Sequence, residues 1–359
     1  MTDTRPAPPV EDGVGAPPAG DGDGGTGPGA SDGARPAPAN EVSKRPSPFQ
    51  RAANVWRYRE LLGNLVRKEL KVKYKNSVLG FLWTLLNPML YLVVFSLVFQ
   101  EVLQVKVPYF AIFFLSGLLA WNFFSTAVTA GTSSIVANSQ LVQKVWFPRE
   151  ILPLASMGAA MVHFLLQLIV LAGAMALFRR APSISYAPAL LPAILVLLVL
   201  CAALAIALSA VNVYLRDTEH LLELAMLAWF WLSAVVYPYS LVSSRLGSSR
   251  EWIASLNPLI PIITTFQKVL YNPDPAPFSW YTNGPDPASF LTSDAGGPGV
   301  PVHMLPSQLP DQAAPAIPAD HGLGWFLTHL AWVGAGSVLL LFGALWLFGR
   351  LEDNLAEEI

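Results

Sequence analysis

The chain predicts an all-α membrane protein, with six transmembrane helices, an amino-terminal amphipathic interface helix and an external re-entrant helical hairpin between spans five and six. Three observations predict it. Of the 359 residues, 53% are hydrophobic and only 13% charged, about half the charge of an ordinary soluble domain. A basic amphipathic stretch, 51–77, runs directly into a charge-free apolar run that opens at Val78. Six apolar stretches then each reach the roughly 20 residues that a helix needs to cross a hydrocarbon core.

Taken in order, 1–50 is rich in Pro, Gly, Ala and Asp with little to bury, which predicts a disordered cytoplasmic tail. It lacks the basic start and apolar h-region of a secretory signal, so the first structured element should begin near Pro48. On a helical wheel of the following stretch, Glu60, Asn64, Arg67, Lys68, Lys71 and Lys75 share one face. Tyr58, Leu61, Leu62, Leu65, Val66, Leu70 and Val72 share the other, and Arg59, Glu69 and Lys73 break the pattern. Such a helix lies in the plane of an anionic leaflet, where Arg67, Lys68, Lys71, Lys73 and Lys75 are candidate contacts for membrane lipid headgroups. An ordinary juxtamembrane basic patch is the alternative reading.

The membrane domain, 78–349, divides into spans at 78–99, 108–136, 151–178, 188–214, 221–241 and 323–348. Asn87-Pro88 marks a kink in the first. Between spans five and six, 252–267 is charge-free but short, and carries Asn257-Pro258 and Pro261 in its middle. That pattern predicts a re-entrant hairpin over 248–270. The segment 272–321 has neither helical nor strand periodicity and reads as an external loop insertion, and 350–359 as a cytoplasmic tail. Six crossings place both termini on one side, and the basic approach to the first span makes that side cytoplasmic. Arg179 and Arg180 then face outward against the usual trend.

Composition also excludes function classes. A net charge of -2, with bases grouped beside one span, argues against nucleic acid as a partner. The one cysteine, Cys201, sits in an apolar run, so no thiolate metal site or disulfide framework is available; it reads as buried filler, and neither metal nor catalytic residues are assigned. Apart from Glu223, no Asp, Glu, Lys or Arg lies within the spans, which disfavours an ion-coupled transporter. His163 and His329 read as interhelical or helix-end hydrogen bonders, with a proton relay as the alternative. The chain has no Gly-x-x-x-x-Gly-Lys-[Ser/Thr] loop, so by that route it binds no ATP or magnesium and any energy arrives through a partner.

The candidate docking point for that partner is the cytoplasmic loop from Asn138 to Glu150. Asn138 or Ser139 can cap a short helix that Pro148 ends, and Leu141, Val142, Val145 and Trp146 share a face. Lys144, Phe147, Arg149 and Glu150 complete the coupling set. A helix of this kind anchors in a groove; the alternative rests the same face on the bilayer or on neighbouring spans. Aromatics cluster where two spans can line a path, with Trp121, Phe123 and Phe124 in the second and Trp229, Phe230, Trp231, Tyr237 and Tyr239 in the fifth. Interfacial belts are the alternative, most of all for Tyr237 and Tyr239. Asp217, Glu219 and His220 could suit a membrane-embedded glycan transferase, but read as a turn that caps a span.

In order along the chain, Lys71-Val-Lys-Tyr-Lys-Asn-Ser-Val-Leu-Gly-Phe-Leu-Trp, Leu115-Ser-Gly-Leu-Leu-Ala-Trp-Asn-Phe-Phe-Ser and Leu141-Val-Gln-Lys-Val-Trp-Phe-Pro-Arg-Glu-Ile-Leu-Pro resemble the permease subunit of type-2 ABC transporters that export polysaccharides such as O-antigen, teichoic acid or galactan-like glycans. Asn212-Val-Tyr-Leu-Arg-Asp-Thr-Glu-His-Leu, Trp231-Leu-Ser-Ala-Val-Val-Tyr-Pro and Leu256-Asn-Pro-Leu continue the series. The resemblance implies a multi-pass permease in a bacterial cytoplasmic membrane, working as a homodimer with a separately encoded nucleotide-binding ATPase that holds ATP and magnesium. It implies a lipid-linked polysaccharide as cargo, moved from the inner to the outer face. By carry-over, 141–147 receives the ATPase stroke and Asn257, Pro258 and Pro261 belong to an external gate. An exporter of drugs or small lipids with the same architecture is the alternative. The amino-terminal arm and the 272–321 insertion are longer than the family pattern.

Overall fold

The computed structural model describes residues 47–75, 82–102, 110–177, 179–239, 242, 254, 256–271 and 322–352, all within one compact unit. Of the disordered tail expected over 1–50, residues 1–46 lie outside the described residues, as do the 272–321 insertion and residues 353–359, whereas 48–50 open a helix. The secondary-structure elements among the described residues are all helices.

Helix α1, Pro48–Arg57, starts where the sequence places its first element. Ser47 caps it: its hydroxyl accepts from the Gln50 amide, and the Gln50 side chain accepts from the Ser47 amide at 2.9 Å. Pro48 then stands at the first helical position, where a missing N–H costs nothing. The interface helix is two pieces, not one: Tyr58 leaves helical geometry at ψ 22°, and α2, Arg59–Tyr74, begins beyond it. Helix α3, Leu82–Ser96, contains Pro88 and ends in a π turn, Leu97–Val102.

Among the described residues, four helices are long and apolar enough to cross a membrane: α4, Phe110–Ala137; α6, Ile151–Leu177; α7, Leu190–Tyr214 with its leading 3-10 turn from Ala187; and α10, Leu323–Leu351. Helix α4 is apolar on all sides and buried over most of its length, as a central helix must be. It packs on α6 and α7, and α7 packs along α10. Small residues let these backbones close up: a Cβ on Gly131 of α4 would stand 2.5 Å from the Ala205 Cβ of α7. Cys201 is fully buried between them, as filler.

The other two expected spans are covered in part by the described residues. The 78–99 span is covered from Leu82 by α3, and its α-helical geometry gives way after Ser96. The 221–241 span is α8, Thr218–Leu232, only 15 residues or about 22 Å. Ser233 closes it and Ala234 turns the chain at φ 53°, a left-handed conformation that no helix continues through. Of the expected re-entrant hairpin, the limb from Leu256 is described: α9, Leu259–Phe266, then a π turn, Gln267–Tyr271, every residue of both being buried. A six-residue helix, α5, Ser139–Lys144, lies between α4 and α6.

Candidate functional site

At the end of the molecule where α1 lies, charge is concentrated and paired. Arg51, 5% exposed, reaches Glu150, which is 1% exposed, with Nη1, and Glu352 with Nη2 at 2.7 Å. Those partners belong to the loop before α6 and to the C-cap of α10, so three segments remote in sequence meet at one guanidinium. Arg149 adds a bond from its own Nη1 to the Glu352 carbonyl at 3.0 Å. Tyr214, at the end of α7, donates to the Leu351 carbonyl at 2.6 Å. The last carbonyls of α10 therefore have side-chain partners, two of the surrounding groups being cationic and suited to a helix C-terminus. Burial works against the Arg51 charge, but the bonds to Glu150 and Glu352 outweigh it and hold the guanidinium protonated. Burial pushes the Glu150 carboxyl above the usual carboxylate range, and the Glu352 charge adds to that, while the Glu150 amide and Arg51 pull it back.

The predicted docking segment stands on this base, but its shape differs from the helix read over 139–147. Helix α5 stops at Lys144, because Val145 is extended at ψ 134°. Asn138 does not cap it with its side chain; its amide donates to the Ser134 carbonyl and its oxygen accepts from Lys68 Nζ, both at 2.8 Å. The single anchoring face is also divided. Val142 and Phe147 are buried among Leu65, Ile135, Ile151 and Phe348, and Leu141 is partly buried against them. Lys144, Val145 and Trp146 are exposed, Trp146 at 86%.

Arg67, Lys68 and Lys71 are exposed on α2 and Lys75 just beyond it, in keeping with the helical wheel; Lys73, which breaks the wheel, is exposed as well. Glu69, which breaks the wheel, faces α6 and accepts from the Ser156 hydroxyl at 2.7 Å. Burial pushes its carboxyl up; Ser156, Lys68 and Lys73 oppose the shift. Burial also lowers Lys73, with Glu69 offsetting part of the loss. His163 of α6 meets the Tyr74 hydroxyl at 2.9 Å, an interhelical bond. His329 bonds within its own helix, to the Trp325 carbonyl at 2.8 Å. Glu219 accepts from Asn212 at 2.7 Å, joining α8 to α7.

Towards the opposite end the packing is aromatic. Trp121 and Phe124 are buried and meet Phe230 and Trp229 edge to face, with ring centroids 5.4 and 5.1 Å apart. Within one chain these candidate lining residues form a packed layer between α4 and α8, with Trp229 and Phe230 half-buried at its rim. Tyr237 does not stand at a helix end; it folds back to donate to the Trp231 carbonyl at 2.5 Å. Asn257 is the most heavily bonded of the gate residues. Its oxygen accepts from Trp229 Nε1 at 2.9 Å and from the Leu259 amide at 3.0 Å, and its amide donates to the Leu232 carbonyl at 3.0 Å. Pro258 caps α9, and Pro261 is buried within it. The far end of α9 packs Tyr271 on Phe113, near the start of α4.

Sequence reasoning missed Arg51, Glu352, Gln267 and Lys268. Lys268 follows a charge-free run by one residue, yet is 6% exposed with its ammonium 4.7 Å from the Tyr186 ring centre. The signal for Arg51 was present: Ser47-Pro48 with Gln50 is a capping signature, which puts Arg51 in a folded helix and not on a solvated approach.

A family model described as ABC-2 type transporter matches residues 60–271. The chain is 35% identical over 227 residues to the O-antigen export system permease protein RfbA of Myxococcus xanthus, covering 62% of this chain and 86% of that protein. It is 28% identical over 213 residues to a Klebsiella pneumoniae protein of the same description, covering 59% of this chain and 81% of the relative.

Proposed function

The chain belongs to the ABC-2 type transporter family, as a membrane component with multiple apolar helices, and from that membership we propose that it is the permease of an ATP-driven exporter of lipid-linked polysaccharide, carrying it from the inner to the outer face of a bacterial cytoplasmic membrane. The observation that carries the reading is its likeness to O-antigen export permeases over more than four-fifths of their length. ATP and magnesium sit on a separate ATPase, a second copy of the chain completes the pore, and both termini face the cytoplasm.

The α1 end supports the place of docking. Trp146 and Val145 project from a loop whose neighbours Val142, Phe147 and Glu150 are buried, so an exposed aromatic stands on a rigid base. Exposed aromatics of this kind act as anchors in protein interfaces. Val142 is part of the core, so a change there would test folding and not docking. The Asn257 junction supports a gate on the opposite side: the chain is held beside Trp229 and Leu232 and then passes along α9 to Tyr271.

Co-purification of the tagged chain with its ATPase tests docking; Trp146→Ala with Val145→Asp should abolish it while leaving the detergent-solubilised chain as stable as before. Retained ATPase would remove the docking assignment. Depletion of the chain should accumulate lipid-linked glycan at the inner face, and glycan reaching the outside at the normal rate would refute export.

A further inference from the structure

We infer that Arg51 is a positioning residue that joins the docking loop to the end of α10 and to α1, so that a stroke received at Trp146 moves all three together. The inference rests on the docking reading above and adds where the motion goes.

The guanidinium uses separate nitrogens for its two carboxylates, Nη1 for Glu150 and Nη2 for Glu352, so neither partner displaces the other. Arginine suits this because its planar fork offers several donors in fixed directions. The site is also fitted to the side chain. A Cβ on Gly349 would stand 3.1–3.3 Å from the Arg51 guanidinium, so the absence of a side chain there lets the fork lie close to α10. Arg149 ties the same loop to Glu352 a second time, through backbone.

A push at Trp146 has a short route. Phe147 is locked in the core, Arg149 and Glu150 follow it, and Ile151 opens α6. Through Arg149 and Arg51 the same displacement reaches α10, which packs along α7, and reaches α1. The buried Arg51–Glu150 pair, with the partly exposed Glu352 beside it, tolerates little change of geometry, because separating the pair leaves a charge unpaired in a poor solvent. That makes the joint stiff. The general use of such clusters in fixing register is the behaviour assigned to Arg51 here.

The test uses the full chain with its ATPase in cells depleted of the native permease. Three quantities are read: ATPase co-purification, ATP turnover of the purified complex, and surface carbohydrate labelled by periodate and a hydrazide dye. Glu352→Gln keeps the Arg51–Glu150 pair and lies at a partly exposed site, so the fold should survive. It should leave ATPase binding unchanged and lower surface glycan at equal ATP turnover about threefold. Arg51→Met with Glu150→Leu removes the charges together and should lower it roughly tenfold, and Arg51→Lys, which keeps charge without the fork, should fall between. If surface glycan at equal ATP turnover is unchanged in Glu352→Gln and in any of the others that folds, Arg51 does not position the stroke. Failure of the docking reading looks different, since Trp146→Ala with Val145→Asp would then retain the ATPase.

Discussion

The two ends of the helical packing are built from different materials. At the α1 end, segments are joined by directed polar contacts: Arg51 with Glu150 and Glu352, Lys68 with Asn138, Asn212 with Glu219, Tyr214 with the Leu351 carbonyl. At the opposite end, rings meet edge to face, Tyr271 on Phe113 and Phe266 on Phe164, beside the hydrogen bonds of Asn257 to Trp229 and Leu232. No ion pair is among the described contacts there, whereas at the α1 end a buried charge depends on its partner. The difference places buried charge at the α1 end and aromatic packing with neutral hydrogen bonds at the other.

The largest effect should come from breaking the buried charge pair. Arg51→Ala leaves Glu150 buried without its cation, a class of change that costs about 3–5 kcal/mol; thermal unfolding in detergent should show it, and a small shift would mean that water reaches Glu150. Phe266→Ala should cost less. Lipid is as apolar as the side chain removed, so little transfer energy is lost, and a void on the order of 100 Å³ at about 24 cal/mol per Å³ gives roughly 2 kcal/mol. A cost equal to that of Arg51→Ala would erase the contrast between the ends.

Glu69→Gln sharpens the picture at the α2–α6 contact. The folded Glu69 binds its proton more tightly than the unfolded chain does, because it is buried. Its favourable contribution is thus complete below the unfolded carboxylate pKa and is lost as pH rises through the folded value. The variant should gain slightly on the wild type at neutral pH and lose that advantage in acid; an advantage that grows in acid would reverse the sign. Smallest of all, Trp146→Ala should change stability by less than about 0.5 kcal/mol, since its side chain is exposed. A large loss would make Trp146 a structural residue.

Much of this was legible in the sequence. Charge-free runs located α4, α6, α7 and α10, and Ser47-Pro48 announced α1, because burial and capping are local properties of composition and order. The wheel over α2 likewise put Arg67, Lys68 and Lys71 outside, though Val72, read on the apolar face, is exposed too. What periodicity could not show was where an apolar run stops being helix. Nothing in 221–241 marks Ala234 as left-handed, for alanine is a good helix former and the turn is imposed by Asn257 and Gln267 from 23 and 33 residues away. The docking face was misread for a similar reason. Leu141, Val142, Val145 and Trp146 fit one helical face only if the helix continues, and Phe147, drawn into the core, extends the chain before it can. Arg51 pairs across 99 and 301 positions, distances at which no pattern in a single sequence points to a partner.

Helix α8 carries one more consequence. At about 22 Å it falls short of a hydrocarbon layer of roughly 30 Å, and the bilayer and the protein must settle the difference between them. The chain from Ser233 to Tyr239, turned at Ala234, is largely buried and bonded to Asn257 and Gln267, so the mismatch bears on that junction and not on the ion-paired α1 end. We predict that reconstitution in bilayers of longer acyl chains slows glycan release without changing ATPase docking; equal rates across chain lengths would show that α8 feels no mismatch.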